Sequence, residues 1–424
     1  MNGSSPAVSD RGLLSAPVPP ASRSEPPPSS GPLRVAFFTD TFVPTHDGVA
    51  QVSEGLALGL ARLGHHVTVY TVHAPGLRRS ETGPDGLTIR RFLSVPAPQY
   101  PQYRVAVTPW TILLSSRGRF DVVHIHTPGF VGLAGWLAGR AWAVPTVGTY
   151  HTNLTDMLRN VGTTRAERSF FRSWSRFSVD LCLRCDLATA PSEAALGALI
   201  RSDPVSTRLR PRLVSNGVDT ERFRPGISSP DWRARLQLGS APLITFLGRL
   251  TQDKGVGRFL DGLDRLGDGL AWSAVIAGEG PERSTVLARL RASPRLSERT
   301  RFVGGVVETD KPALLAQSQV FVLPSLSDTS SVALLEAMAA GAPTVVTAFG
   351  GPAELATASS AGLVVDPRDP DELAGAVARF LREPDLARDR SRKGREWVVA
   401  HASLTRMAAG FHECYQAVVR ARRG

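Results

Sequence analysis

Phe321 to Glu354 reads FVLPSLSDTSSVALLEAMAAGAPTVVTAFGGPAE, and the order of residue types in this stretch decides the fold. Phe321-Val322-Leu323 is a short apolar run of strand type, and Pro324 stops it. Ser325 to Ser331 is polar and rich in residues that cap helices. Val332, Leu335 and Ala339 recur at helical spacing, and Gly341 and Pro343 end that helix. Thr344-Val345-Val346-Thr347 gives a second, β-branched strand that runs on to Gly350-Gly351. Strand, polar turn, helix, strand is the grammar of a parallel α/β sheet.

In such sheets ligands bind beyond the carboxyl ends of the strands, where helix N-termini offer free N–H groups to anions. Asp328 lies in that turn, and Glu336 follows about two helical turns along. A glutamate flanked by Leu335 and Ala337 needs a polar partner if it is buried. Two acids beside an anion-binding helix end suit a ligand that carries both phosphates and sugar hydroxyls. An N-cap aspartate and a solvated glutamate account for the same residues equally well at this point.

The 424 residues are enough for two domains with separate cores. An apolar content of 42% and a charged content of 21% are those of a soluble globular protein. There is no apolar run of the roughly 18 residues a bilayer span needs, and no basic start followed by an apolar core that would mark a secretory signal. Cys182, Cys185 and Cys414 suit a reducing compartment, so a cytoplasmic location is expected. The net charge of +11 favours anionic partners such as a nucleotide or an anionic membrane. It is nearly all arginine, because the only lysines are Lys254, Lys311 and Lys393. No zinc-finger, RNP-like or helix-turn-helix pattern supports nucleic-acid binding.

Residues 1–32 are rich in Ser, Pro and Ala and are expected to lack fixed structure. A first domain, 33–225, opens with the strand Leu33 to Phe38, a loop containing Gly48, and a helix with Val52, Leu56, Leu60 and Leu63 in register. Gly48 allows close approach of backbone and ligand. The absence of a G-x-G-x-x-G fingerprint argues against a dinucleotide-binding fold of the usual kind. Strands at Val122–His126 and Thr146–Tyr150 each end in His-Thr, at His126 and His151. A histidine at a parallel strand's carboxyl end is placed to meet a ligand, and His151 is favoured because the polar Thr152-Asn153 follows it. From Arg165 to Leu181 an amphipathic helix sets Phe170, Trp174, Phe177 and Leu181 against Arg165, Arg168, Arg172 and Arg176. It suits either an anionic membrane surface or ordinary packing of the aromatic face. Cys182-x-x-Cys185 lacks the second ligand pair that zinc needs and reads as incidental.

Arg222 to Pro230 reads as a linker into a second domain, 235–400. Its first strand ends in Gly248-Arg249-Leu250-Thr251-Gln252-Asp253-Lys254-Gly255. Arg249, Lys254 and a glycine at a helix N-terminus suit a diphosphate, and the spacing is not that of a Walker A loop. Asp369-x-Asp371 resembles a metal motif but precedes a helix, so capping explains it better. A closing segment, 401–424, is expected to form a helix that crosses back onto the first domain.

Together these residues resemble the glycosyltransferases of family 4, whose GT-B architecture sets two Rossmann-like α/β domains with parallel sheets across a cleft. The resemblance runs from about residue 33 to the C-terminus. It rests on the Gly48 loop, His151-Thr152, Pro191-Ser192, Asn216-Gly217-Val218-Asp219, the G-R-L-x-x-x-K-G run at 248–255, Gly278-Glu279-Gly280-Pro281, and above all the run from Pro324 to Glu354. It implies that Arg249 and Lys254 bind the donor diphosphate, that Glu336 holds the nucleotide ribose, and that Asp328 contacts the donor sugar's hydroxyls. The backbone N–H groups of Ser330 and Ser331 meet sugar or phosphate, and Gly48 and His151 line the cleft from the first domain. His151, Asp328, Arg249 and Lys254 are the expected catalytic set. The implied reaction is retaining transfer of a hexose from GDP-mannose or a UDP-hexose, with no metal, to a lipid or small-molecule acceptor at the inner face of a membrane. A hydrophilic acceptor such as an inositol phosphate or a natural-product aglycone is the alternative. A non-catalytic nucleotide-sugar binder and a nucleotide-sugar epimerase are the competing classes. The family usually carries glutamate where this chain has Asp328, and Thr329-Ser330-Ser331 stands where a Gly/Phe-containing turn is more common.

Overall fold

The computed structural model describes residues 31–45, 47–97, 104–114, 119–151, 165–202 and 208–423. Most of the N-terminal tail, His46, and the Thr152-Asn153 segment lie outside these residues.

Two sheets organise the chain. The first contains β1 (Arg34–Phe38), β2 (His66–Val72), β3 (Ser80–Thr82), β4 (Thr88–Phe92), β7 (Val122–Ile125), β8 (Thr146–Thr149), β9 (Leu187–Ala190) and β10 (Arg212–Leu213). Its order is β10-β9-β8-β7-β1-β2-β4-β3, parallel except for the short edge strand β3. A separate hairpin joins β5 (Ser94–Pro96) to β6 (Arg104–Ala106). The second sheet contains β11 (Leu243–Leu247), β12 (Ser273–Ala277), β13 (Thr300–Gly304), β14 (Val320–Leu323), β15 (Thr344–Thr347) and β16 (Gly362–Val365). It is parallel throughout, in the order β13-β12-β11-β14-β15-β16.

Helices cover both faces, so the central strands are apolar without alternation, as parallel sheets require. Val35 to Phe38 and the whole of β11 and β14 are buried. Each sheet has core residues on both faces: Val35 and Phe37 face one cluster and Ala36 and Phe38 another. The last helix, Leu404–Arg423, lies against the helix Gly48–Arg62 of the first sheet's layer. Glycine permits this approach, since a β-carbon on Gly59 would fall 2.9 Å from that of Ala408. Burying Met407, Phe411 and Tyr415 in the first core contributes roughly 1.5–3 kcal/mol for each large side chain.

Candidate functional site

A parallel sheet opens a crevice where the strand order reverses. In the second sheet this point lies between β11 and β14. The turn after β11 carries Arg249 to Gly255, and the turn after β14 carries Ser325 to Ser331. The two stretches singled out in the sequence are therefore spatial neighbours. The Leu326 N–H and the Ser325 hydroxyl both donate to the Asp253 carbonyl, at 2.8 and 3.1 Å. A β-carbon on Gly255 would fall 2.0 Å from the Pro324 carbonyl oxygen, so only glycine lets the turns meet.

Lys254 and Asp328 form an ion pair at this junction, with Nζ 2.7 Å from Oδ2 and 18% and 10% of the side chains exposed. The position expected to meet sugar hydroxyls here holds the lysine. Arg249 is exposed, and its guanidinium has no partner among the described residues. Asp328 is fixed from behind, because its carbonyl accepts the Gly351 N–H at 3.1 Å. Gly350, at φ 63°, is pressed so close that a β-carbon would fall 2.4 Å from the same oxygen. That contact explains the glycine pair after β15.

The Ser331 hydroxyl caps the helix Val332–Ala339 by accepting the Leu334 N–H at 3.3 Å. The N–H groups of Ser330 and Ser331 meet no acceptor among the described residues, which leaves them available to an anion. On the same helix Glu336 is 5% exposed, so it is not a solvated glutamate. Burial pushes its carboxyl up to about 7; Lys311 opposes this, Glu308 adds to it, and Arg222 opposes it. Glu308 is itself bound by Lys311 at 2.5 Å, by Gln51 at 2.8 Å and by Arg222 at 3.3 Å. Glu308 and Lys311 are an i,i+3 pair of one segment, whereas Gln51 and Arg222 come from distant parts of the chain, and no local pattern in the sequence joins them to the pair.

The first sheet reverses between β7 and β1. Asp40 follows β1, His126-Thr127 follows β7, and His151 follows β8. The Asp40 carboxylate accepts from the Thr127 hydroxyl at 2.6 Å and from the N–H groups of Val131 and Gly132 at 2.9 and 3.4 Å. It is thus committed to the N-terminus of the helix Phe130–Ala141. His126 Nδ1 lies 3.1 Å from His151 Nε2. The two domains touch where the site residues converge. The Thr329 hydroxyl donates to the His151 carbonyl at 2.5 Å, and a β-carbon on Gly48 would fall 3.8 Å from the Val332 side chain. Glu354 reaches the N-terminus of the helix Glu193–Ser202, accepting the Glu193 N–H at 3.0 Å.

Burial lowers His151 to about 4 and holds His124 and His126 well below the ordinary histidine value. His65 is lowered by burial and by the nearby His412 and His66, also to about 4. On unfolding these rings take up protons near pH 6.5, which the native protein does not. Stability is therefore expected to fall as pH drops from about 6.5 towards 4, by up to about 1.4 kcal/mol per pH unit for each histidine. Glu336 opposes this, and so do Asp40, Glu54 and Glu354, whose carboxyls burial also raises. Carboxyls depart from ordinary values near about 4, so the histidines set the sign above about pH 5. Thermal unfolding at pH 7.5 and pH 5 tests the trend, and an unchanged or higher midpoint at pH 5 contradicts it.

Two sequence patterns resolve into structure. Cys182 and Cys185 are buried thiols that donate to the Gly148 and Leu181 carbonyls at 3.2 and 3.4 Å. Burial raises Cys182 to about 12. Asp369 caps the helix Pro370–Arg382 through the N–H groups of Asp371 and Glu372. Among the described residues no three His, Cys, Asp or Glu side chains are grouped to hold a metal.

Residues 46–222 match the family model described as Glycosyltransferase Family 4, and residues 228–397 match that described as Glycosyl transferases group 1. A GDP-mannose-dependent alpha-mannosyltransferase of Mycobacterium tuberculosis (strain CDC 1551 / Oshkosh) is 31% identical over 376 residues, which is 87% of this chain and 94% of that protein. A GDP-mannose-dependent alpha-(1-6)-phosphatidylinositol monomannoside mannosyltransferase of the same strain is 36% identical over 204 residues, 46% of this chain and 52% of that one. Among solved structures, sucrose-phosphate synthase from Thermosynechococcus elongatus aligns with a TM-score of 0.75 at 20% identity, over 92% of this chain and all of that one. The likeness bears out the GT-B fold: two Rossmann-like parallel sheets facing across a cleft.

Proposed function

The chain belongs to the glycosyltransferases of family 4, and on that footing we propose that it transfers mannose from GDP-mannose, with retention and without a metal, to a hydroxyl of a lipid acceptor. That it is a hexosyltransferase using a nucleotide-sugar donor follows from the family. The choice of GDP-mannose is supported by the 31% identical relative, whose name states that dependence. The observation that carries the reading is the meeting of Lys254 and Asp328, beside the free N–H groups of Ser330 and Ser331, at the sheet reversal whose turns also carry Arg249 and lead into the helix of Glu336.

In this scheme the bond from the anomeric carbon to the diphosphate breaks while the acceptor oxygen bonds to that carbon on the same face. The acceptor's proton passes to the departing phosphate oxygen. Arg249, Lys254 and the helix N-terminus stabilise the charge that develops on the diphosphate. His151, neutral at physiological pH, serves as a hydrogen-bonding group rather than as a source of protons.

A lipid acceptor agrees with the net charge of +11 and with the helix Arg165–Leu183. There Arg172 and Arg176 are exposed, whereas Val179 and Leu181 are buried and Trp174 and Phe177 are partly so. The helix would rest its arginines on anionic headgroups at the inner face of the cell membrane. Among the described residues no helix is long and apolar enough to cross a membrane. The test incubates the protein with sugar-labelled GDP-mannose or UDP-glucose and either a lipid extract or inositol phosphate. Label from GDP-mannose is expected in the organic phase. Label confined to water-soluble product selects a hydrophilic acceptor, and no product from either donor overturns the proposed transfer.

A further inference from the structure

We propose that His126 is a positioning residue that donates its Nδ1–H to His151 Nε2 and so holds His151 in the tautomer with a free Nδ1–H for a ligand oxygen. The proposal rests on the reading of His151 as a residue of the sugar-transfer cleft.

The geometry leaves few arrangements. His126 is 1% exposed and sits between Phe37 and His124, with ring centroids 4.6 and 3.9 Å away. Its own N–H donates to the Phe38 carbonyl at 2.9 Å, which fixes the backbone from which the ring projects. The Nδ1 atom meets His151 Nε2 at 3.1 Å, whereas Nε2 is buried with no partner among the described residues. Both rings are neutral near pH 7, so each carries a single N–H. If His151 donated, the proton of His126 would have to sit on Nε2, as a buried donor with nothing to receive it. If His126 donates, the unpaired atom is only a bare lone pair. Buried donors are the groups least often left unmet in folded proteins, so the second arrangement is favoured. His151 then has no proton on Nε2, and its Nδ1–H has no acceptor among the described residues.

The neighbouring histidine is disposed of differently. His124 is saturated by Tyr415 Oη at 2.8 Å and Thr149 Oγ1 at 2.6 Å, both inside the protein. His151 is held at its other end by the Thr329 hydroxyl on its carbonyl. Ring and backbone are therefore both fixed next to the turn that carries Asp328, and a hydrogen bond to ligand oxygen needs no reorganisation at the moment of reaction.

The first test is nitrogen NMR of the full chain labelled at histidine, without ligand, with the His151 signals assigned through His151→Gln. A protonated Nδ1 and a bare, pyridine-type Nε2 on His151 are expected. A protonated Nε2 overturns the proposal. This arm needs no activity, so a protein that transfers no sugar would sink the functional reading and leave the tautomer measurable. The kinetic arm compares His126→Phe, which keeps an aromatic ring but lacks the donor, with His126→Asn, whose amide nitrogen occupies the place of Nδ1. His126→Phe is expected to lose about tenfold or more in kcat with a donor KM within about threefold, and His126→Asn to recover most of the loss. Equal losses in the two variants overturn the proposal, and the NMR result decides if neither variant folds.

Discussion

Lys254→Ala is expected to lower kcat/KM for the nucleotide sugar by about two to three orders of magnitude, the range found when one group stabilising transition-state charge is removed. The lysine is one of three in the chain, and its ammonium is held by Asp328 at 2.7 Å beside the free N–H groups of Ser330 and Ser331. Because Asp328 already occupies it, a diphosphate must share or displace that carboxylate. Asp328→Asn should therefore bind the free nucleoside diphosphate several-fold more tightly than the wild type. It should still turn over the intact donor more slowly, because the contact to the sugar is weakened. Arg249→Ala should lose affinity for both ligands, since its guanidinium has no protein partner to satisfy first. The double variant Lys254→Ala/Asp328→Ala should lose less than the sum of the single losses, as expected for groups in direct contact. Calorimetric titration with the diphosphate and steady-state kinetics with the sugar nucleotide separate these effects. Tighter diphosphate binding with undiminished turnover in Asp328→Asn would remove the sugar contact from the account.

Glu336→Gln is expected to weaken donor binding by about tenfold to hundredfold, the worth of hydrogen bonds to a buried carboxylate, while making the ligand-free protein more stable at pH 8. The two effects share one cause. Glu336 is 5% exposed, and burial raises its carboxyl to about 7. Between about pH 4.5 and 7 the native protein retains a proton that the unfolded chain has released. The residue's contribution to stability is therefore complete below pH 4.5 and is lost as pH rises through 7. A neutral amide avoids that loss, so the gain at pH 8 should be on the order of 2 kcal/mol and should shrink towards pH 5. Donor affinity of the wild type should rise from pH 6 to 8 as the carboxylate forms. Chemical denaturation at the two pH values measures the stability change. A destabilised Glu336→Gln at pH 8 would mean that the carboxylate is satisfied within the protein rather than kept for a ligand.

The strands and helices around the site were legible because parallel sheets write themselves as short apolar runs ended by glycine or proline. Val320–Leu323, Val332–Ala339 and Thr344–Thr347 fall where the spacing of Phe321 to Thr347 places them. The capping role of Asp369 was equally local, since a cap needs only its own turn; the helix Val332–Ala339 is capped by Ser331 rather than by Asp328. What the sequence did not disclose depends on distance along the chain. Lys254 and Asp328 meet across 74 residues because β11 and β14 are adjacent strands, a pairing that no periodicity encodes. Gln51 and Glu308 are 257 residues apart, and their contact exists only because one domain faces the other. Asp40 lies in the polar loop directly after β1, and nothing local in the sequence sets it apart. Its carboxylate matters because β7 lies beside β1 and brings Thr127 and the helix after it within reach. The short edge strand β3 and the hairpin of β5 and β6 leave no sequence signal for a related reason: three-residue strands are too short to show alternation.

The reversal between β11 and β14 is proposed as a nucleoside diphosphate site. Its most direct test is calorimetric titration of GDP and UDP, at pH 8, into the full chain and into Arg249→Ala. One site per chain is expected, with GDP bound about tenfold or more tightly than UDP and heat for both nucleotides largely abolished in Arg249→Ala. Equal binding by wild type and variant, or no binding of either nucleotide to a folded wild type, would contradict it.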